Sequence, residues 1–153
     1  MAHGYPNGYH HLMRYLLDTC VVLSALRSRR GASNALLRQA FEGHLPVVVH
    51  FKLVAEYRDV LLREEQLRAT GLDARIVQRF LAAYVGIADE VLVHFLWRPN
   101  LPDENDNFII EIAIAASPCT VVTHNVSDFR RGERLFAGVE VARPAEILRL
   151  RCH

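Results

Sequence analysis

Three carboxylates crowd one turn of the chain, at Asp103, Glu104 and Asp106 in the run LPDENDNF. The apolar residues that follow, 108–116, predict a helix, which Asp103 can cap and for which Asp106 can close a capping box three residues on. Capping does not explain which face of the helix Asp106 occupies, because Asp106 lies four residues before Ile110 and therefore on the face that is predicted to be buried. A carboxylate on an inward face is costly unless positive charge meets it. This turn therefore indicates that other acids converge here around a metal ion.

Short apolar runs alternate with amphipathic segments along the chain, a pattern that predicts buried strands separated by helices. Strands are predicted at 14–18, 46–49, 88–93, 120–123 and 139–142, and helices at 20–26, 33–41 (capped by Ser33), 52–63, 74–85 (capped by Asp73), 108–116 and 145–151. The segment 64–69 is predicted to be charged and exposed, 97–102 a loop, and 124–136 a polar turn followed by a loop or short helix. This order predicts an α/β fold with helices on both faces of a central parallel sheet of about five strands.

Parallel sheets bind ligands outside the carboxyl ends of their strands, where the strand order reverses. Asp18 ends the first predicted strand, and Asn125 and Asp128 follow the fourth. If these two strands are neighbours, the acidic turn at 103–106 belongs to the same crevice, because its helix leads into the fourth strand. Glu56 lies on the helix after the second strand and must reach over to join the other acids.

Each of these positions also has an ordinary structural explanation. Asp18 can cap a helix, Glu56 can be a solvated helix carboxylate, and Asp128 can form an Asx turn. The polar neighbours of the acids have an ordinary explanation too, since their side chains can form hydrogen bonds in turns or helix caps: Thr19, Thr123 and Asn125. Taken together, however, clustered carboxylates repel one another, and a divalent cation relieves that repulsion. A ligand set of oxygen atoms favours Mg²⁺ or Mn²⁺ over zinc.

Length and composition limit the other possibilities. The 153 residues are predicted to form one domain at 13–153, preceded by a flexible extension at 1–12 that is rich in Gly, His, Tyr and Asn. No stretch is long enough to cross a bilayer. A net charge of +1 gives no global attraction for nucleic acid, so such a partner requires a local basic patch. The three cysteines form neither a zinc-like spacing nor a disulfide framework, which predicts a reducing, cytoplasmic compartment.

Five successive stretches resemble the motifs of PIN domains: RYLLDTCVVLSAL, GASNALLRQAF, LVAEYRDVLLR, LPDENDNFIIEIAIAA and VVTHNVSDF. The resemblance runs from Met13 nearly to the end of the chain and is nearest to the VapC-like ribonuclease toxins of bacterial toxin–antitoxin pairs. It implies a three-layer α/β/α PIN-like domain. Carried over by position, the acids of the family fall on Asp18, Glu56, Asp106 and Asp128, with Asp103 close by.

The resemblance also marks the edge of the site. Asn125 matches the polar residue that follows the fourth strand in this branch, with Thr19 and Thr123 beside the acids. Two positions depart from the pattern. Cys20 stands where this branch usually has Asn, and His124 stands at a usually apolar or small position. Neither departure removes a carboxylate, but both can change metal affinity or substrate orientation.

The implied activity is hydrolysis of RNA phosphodiester bonds by an endoribonuclease that depends on Mg²⁺ or Mn²⁺, in a two-metal scheme. Asp18 is assigned as the central metal ligand, Asp106 as its partner, Glu56 and Asp128 as completing the shell, and Asp103 as an outer ligand or helix cap. Arginines flanking the site are expected to contact RNA phosphates, although solvated loops explain them equally well: Arg27, Arg29, Arg30, Arg130, Arg131 and Arg134. As a toxin, the protein would bind a cognate antitoxin and form a homodimer.

Two other classes of function are weaker. Phosphotransfer proteins generally add a lysine after a later strand, whereas the one lysine here, Lys52, follows the second strand. A nucleotide-binding fold lacks support because there is no glycine-rich phosphate loop. The main alternative is a catalytically silent PIN module that binds RNA or a protein partner.

Overall fold

The computed structural model describes residues 13–93 and 104–151, the side chains at 104–107 and 131–135 excepted. The predicted extension at 1–12, the loop at 97–102 and the Asp103 cap lie outside these residues. The described strands are β1 (Arg14–Leu17), β2 (Val48–Val49), β3 (Asp89–Glu90), β4 (Cys119–Val122) and β5 (Val139–Ala142). The described helices are α1 (Thr19–Arg27), α2 (Ala32–Phe41), α3 (Phe51–Leu61), α4 (Glu64–Thr70), α5 (Ala74–Ile87), α6 (Glu104–Ala115), α7 (Val126–Leu135) and α8 (Pro144–Arg151).

All strand pairings in the described chain are parallel, which confirms the predicted fold class. One ladder runs β1-β4-β5 and the other joins β2 to β3. A single parallel bridge between Tyr15 and Val47, with the Tyr15 amide donating to the Pro46 carbonyl at 2.8 Å, connects β1 to β2. The strand order across both ladders is therefore 3-2-1-4-5.

The second and third predicted strands, at 46–49 and 88–93, are present but shorter than expected, and each pairs over two residues only. Pro46 has no amide hydrogen to donate to a ladder. β3 lies at the outer side of β2 and consists of Asp89 and Glu90, which are exposed and of a type depleted in strands. The sheet therefore has three strands of four residues, extended by one short pair.

Three helix predictions need correction. The segment 64–69 is exposed as expected but forms α4, and 126–135 is one helix, α7, rather than a polar turn followed by a loop or short helix. Ser33 is not a cap, because α2 begins at Ala32 after Gly31, and Ser33 is buried within the helix. The predicted cap at Asp73 is confirmed, since its side chain accepts a hydrogen bond from the Ile76 amide.

Burial shows that helices cover the sheet on both faces. Successive residues of β1 and β4 point to opposite faces, yet nearly all of them are buried. The helices α1, α2, α3, α5 and α8 pack in one connected group, and α6 and α7 pack together against β4 and β5. Within the described residues, no helix is long and apolar enough to cross a membrane.

Candidate active site

The crevice predicted at the end of β1 is where the strand order reverses. From β1 the chain moves to β2 and β3 on one side and returns to β4 and β5 on the other. β1 and β4 are hydrogen-bonded neighbours, and the Asp18 amide extends their ladder by donating to the Val122 carbonyl at 2.9 Å. Asp18 and Thr123 consequently follow adjacent strands at the same edge, which is where α/β sheets bind ligands.

The Asp18 carboxylate, half-buried, is held by three donors. Thr123 Oγ1 donates to Oδ2 at 2.7 Å, the Thr19 amide donates to Oδ1 at 2.9 Å, and the Cys20 thiol lies 3.5 Å from Oδ2. Asp18 is thus also the N-cap of α1, as its ordinary explanation predicted. The cap and the contact with β4 fix the carboxylate at the mouth of the crevice.

Glu56 reaches the same place from α3. The Thr19 hydroxyl donates a short hydrogen bond to Glu56 Oε2, while the Thr19 amide binds Asp18. The next residue on the helix, Tyr57, is fully buried and donates its hydroxyl to the carbonyl of Leu17 at the end of β1. This bond fixes α3 against β1, so that Glu56 lies beside Asp18 with Thr19 between them.

The electrostatics of this pair favour a bound cation. Neither Asp18 nor Glu56 forms an ion pair with a basic side chain in the described part of the chain. The pKa of the Cys20 thiol is raised to about 11, first by burial and then by the negative charge of Asp18. Burial, the neighbouring Tyr84 and then both carboxylates raise the pKa of Tyr57 well above its usual value.

The remaining predicted acids are not seen to join the pair. Asp128 is exposed in the first turn of α7, where its amide donates to the Asn125 carbonyl at 3.1 Å. Asp106 lies in the first turn of α6, but its side chain is outside the description, as is Asp103. Among the described side chains, no three His, Cys, Asp or Glu residues are grouped closely enough to hold a metal ion.

The polar residues beside the acids form a hydrogen-bond network around Asp18. Thr123 is fully buried, and its hydroxyl donates to Asp18 while accepting from the Asn125 amide at 3.0 Å. Asn125 therefore contributes its backbone to the network. Cys20, the departure from the family pattern, lies between Asp18 and Thr123, with its sulfur 3.7 Å from Thr123 Oγ1. The sequence hinted at this, because Cys20 lies two residues after Asp18 and departs from the family pattern at the edge of the predicted site.

Glu111 is an acid that sequence reasoning missed. It is buried in α6, the helix that carries Asp106 near its start and packs on β4. The sequence contained a signal for a buried acid at this position, because Glu111 interrupts the apolar run FIIEIAIA. Arg27, Arg29, Arg30 and Arg130 are exposed, while the side chains of Arg131 and Arg134 lie outside the description.

Fold and site together define a class: a parallel α/β protein with paired carboxylates at the switch point of its sheet. A comparison with protein families matches the PIN domain over residues 14–127. The chain therefore belongs to the PIN-domain family, as the motifs indicated. PIN domains are typically nucleases, and these nucleases generally use divalent metals. The nearer resemblance to VapC-like toxins stays a prediction, and no curated protein matches the sequence.

Proposed function

We propose that the protein is an endoribonuclease that depends on Mg²⁺ or Mn²⁺ and hydrolyses RNA phosphodiester bonds. One observation carries the proposal: Asp18 and Glu56, from different elements, bind the backbone and side chain of the same residue, Thr19. They meet at the switch point of the sheet, and no described cation neutralises them. Asp18 also caps α1, but capping does not require a second carboxylate beside it, and the mutual repulsion of the pair is relieved by a bound cation.

The residues present fit a hard divalent cation. Asp18 and Glu56 offer carboxylate oxygens, with hydroxyl oxygens from Thr19 and Thr123 around them. Such a donor set favours Mg²⁺ or Mn²⁺ over softer metals. When bound, the metal supplies a Lewis acid that activates water at neutral pH and offsets charge on the leaving oxygen. We assign Asp18, Glu56, Asp106 and Asp128 to this site, with Asp103 as an outer ligand or cap.

In this proposal the side chains of the protein orient the two carboxylates and do not supply the nucleophile. The proposed nucleophile is water, which a divalent metal would activate in phosphodiester hydrolysis. Thr123 and the Thr19 amide hold the Asp18 carboxylate in one orientation, and Tyr57 fixes the helix that presents Glu56.

The toxin role is the finer part of the proposal and rests on the family resemblance. A cognate antitoxin would cover the acidic crevice, where an inserted arginine would pair with Asp18 and Glu56. We also propose a homodimer and a cytoplasmic location. The competing function is a catalytically silent PIN module that binds RNA or a protein partner.

The two functions are separated by incubating the protein with single-stranded and structured RNA in Mn²⁺, in Mg²⁺ or in EDTA. The nuclease proposal predicts internal cleavage with metal, none with EDTA, and loss of cleavage in Asp18→Asn and Asp106→Asn. Cleavage that persists in both variants would point to a contaminating nuclease. RNA that stays intact with every metal favours the silent module.

A further inference from the structure

A second cleft, with a volume of about 490 Å³, opens beside the acidic pair. Its lining residues on α1 are Cys20, Leu23, Ser24 and Arg27. Ser28, just after the helix, and His124, from the segment after β4, complete the lining. The α1 residues are spaced by three and four, so they form one face of the helix. The cleft is therefore a trough that runs along α1, away from Asp18.

The trough is continuous with the acidic site because both share Cys20. The Cys20 sulfur lies 3.5 Å from Asp18 Oδ2 and 3.7 Å from Thr123 Oγ1, and His124 directly follows Thr123 in the chain. Arg27 lies seven residues further on, which is about 10 Å along the helix axis. A polymer held at Asp18 would thus pass Arg27 if it followed the trough.

The chemistry of the lining fits an anion. It contains no carboxylate, and it offers the Arg27 guanidinium, the His124 ring and the hydroxyls of Ser24 and Ser28. Arg27 is exposed and makes no ion pair with any described carboxylate. A guanidinium that presents several N–H donors is well suited to phosphate oxygens.

Three contacts organise the trough before a ligand arrives. The Ser33 hydroxyl on α2 lies 3.4 Å from Nε2 of His124, which orients the ring. The side-chain amide of Asn34 donates to the Ala25 carbonyl at 2.8 Å, and the backbone amide of Ser28 donates to the Ser24 carbonyl at 3.1 Å. These bonds satisfy two of the carbonyls that end α1, which reduces the negative potential an anion would otherwise meet there.

We propose that this trough binds a phosphodiester group of the RNA substrate at a distance from the bond that is cleaved, with Arg27 and His124 as its ligands. The inference rests on the proposed function, because it assigns the substrate strand a path from the acidic site along α1. Phosphate contacts of this kind position a strand without reading its sequence. Arg27 and His124 are positioning residues in this account.

The test measures RNA binding separately from cleavage. A fluorescein-labelled single-stranded oligoribonucleotide is titrated in EDTA, and its anisotropy is followed over a range of salt concentrations. Arg27→Ala is expected to weaken binding roughly fivefold and to lower the slope of log K against log salt by about 0.7, the value for one phosphate contact on a single strand. His124→Ala is expected to weaken binding by a smaller factor, and Arg27→Lys to retain most of the salt slope.

Arg79→Ala is the matched control, since Arg79 is equally exposed but lies on α5. It is expected to bind RNA like the wild type. The trough is refuted if Arg27→Ala and His124→Ala are indistinguishable from this control, or if the wild-type protein does not bind the oligonucleotide at low salt. The proposed nuclease is judged separately from the trough. If the wild-type protein cleaves RNA in Mn²⁺ but Arg27→Ala binds RNA as the wild type does, only the trough is refuted. If Arg27→Ala binds RNA more weakly but the wild-type protein does not cleave it with any metal, only the nuclease is refuted.

Discussion

Two surface regions of this molecule differ in chemistry, an apolar groove and the crevice at Asp18. The groove, of about 650 Å³, lies between α3 and α5, and apolar side chains such as Val54, Leu81 and Val85 form much of its wall. Its charged residues, Arg58 and Glu90, are exposed. In the crevice at Asp18, two carboxylates from separate elements converge. Convergence of like charges, rather than volume, favours a reactive site over a general surface groove.

One helix serves both regions. On α3, Tyr57 is buried against the end of β1, Glu56 turns towards Asp18, and Val54 and Arg58, one turn apart, line the apolar groove. Substitutions on the two sides of α3 should therefore affect different properties of the protein. The predictions below test this separation, starting with the largest expected effect.

Substitution of Asp18 should separate its two roles. Asp18→Asn and Asp18→Ala are each expected to lower the rate of RNA cleavage by at least about 100-fold, since both remove the charge. Only Asp18→Ala should also destabilise the protein, by about 1 kcal/mol, because asparagine remains a good N-cap and alanine does not. Cleavage assays and urea unfolding measure the two effects. Equal stability of the two variants would show that the cap is unimportant.

Glu56→Gln should reduce cleavage by roughly 10- to 100-fold. The amide oxygen of glutamine can still accept the Thr19 hydroxyl, so the free energy of unfolding should barely change. Single-turnover cleavage rates, compared with those of Arg58→Gln on the groove side of α3, measure the difference. If Arg58→Gln slows cleavage as much as Glu56→Gln does, the two sides of the helix are not separate.

Thr123→Val keeps the shape of a fully buried side chain but removes its hydroxyl. Asp18 loses a donor and the Asn125 amide loses its acceptor. We expect cleavage to fall by about tenfold and the free energy of unfolding by about 1 kcal/mol. Unchanged cleavage in this variant would mean that Thr123 does not orient the carboxylate.

Val85→Ser changes the apolar groove and should have the smallest effect. Val85 is 40% exposed, and a surface substitution of this kind changes stability by about 0.5 kcal/mol or less. Cleavage is expected to stay within twofold of the wild type. The same variant tests the proposed homodimer by light scattering, since a dimer formed through this groove would be weakened.

The sequence predicted the parallel α/β fold from its strand patterns, and it brought Asp18 to the end of β4 only on the condition that the first and fourth strands are neighbours. For the segment of α7 it predicted a polar turn followed by a loop or short helix, since this segment is polar, contains Gly132 and buries only Val126 and Phe129 among its described side chains. The role of Thr19 was also beyond sequence reasoning. Whether its hydroxyl binds the backbone or Glu56 depends on how α3 docks on β1, and the buried Tyr57 contact fixes that docking.

The central claim is that Asp18 and Glu56 share one divalent ion, and diffraction from a crystal soaked in Mn²⁺ tests it most directly. We expect an anomalous peak within coordination distance of the Asp18 carboxylate and next to Glu56, and we expect this peak to disappear in Asp18→Asn. A crystal saturated with Mn²⁺ that shows no peak at Asp18, or that binds manganese only elsewhere, would contradict the shared ion.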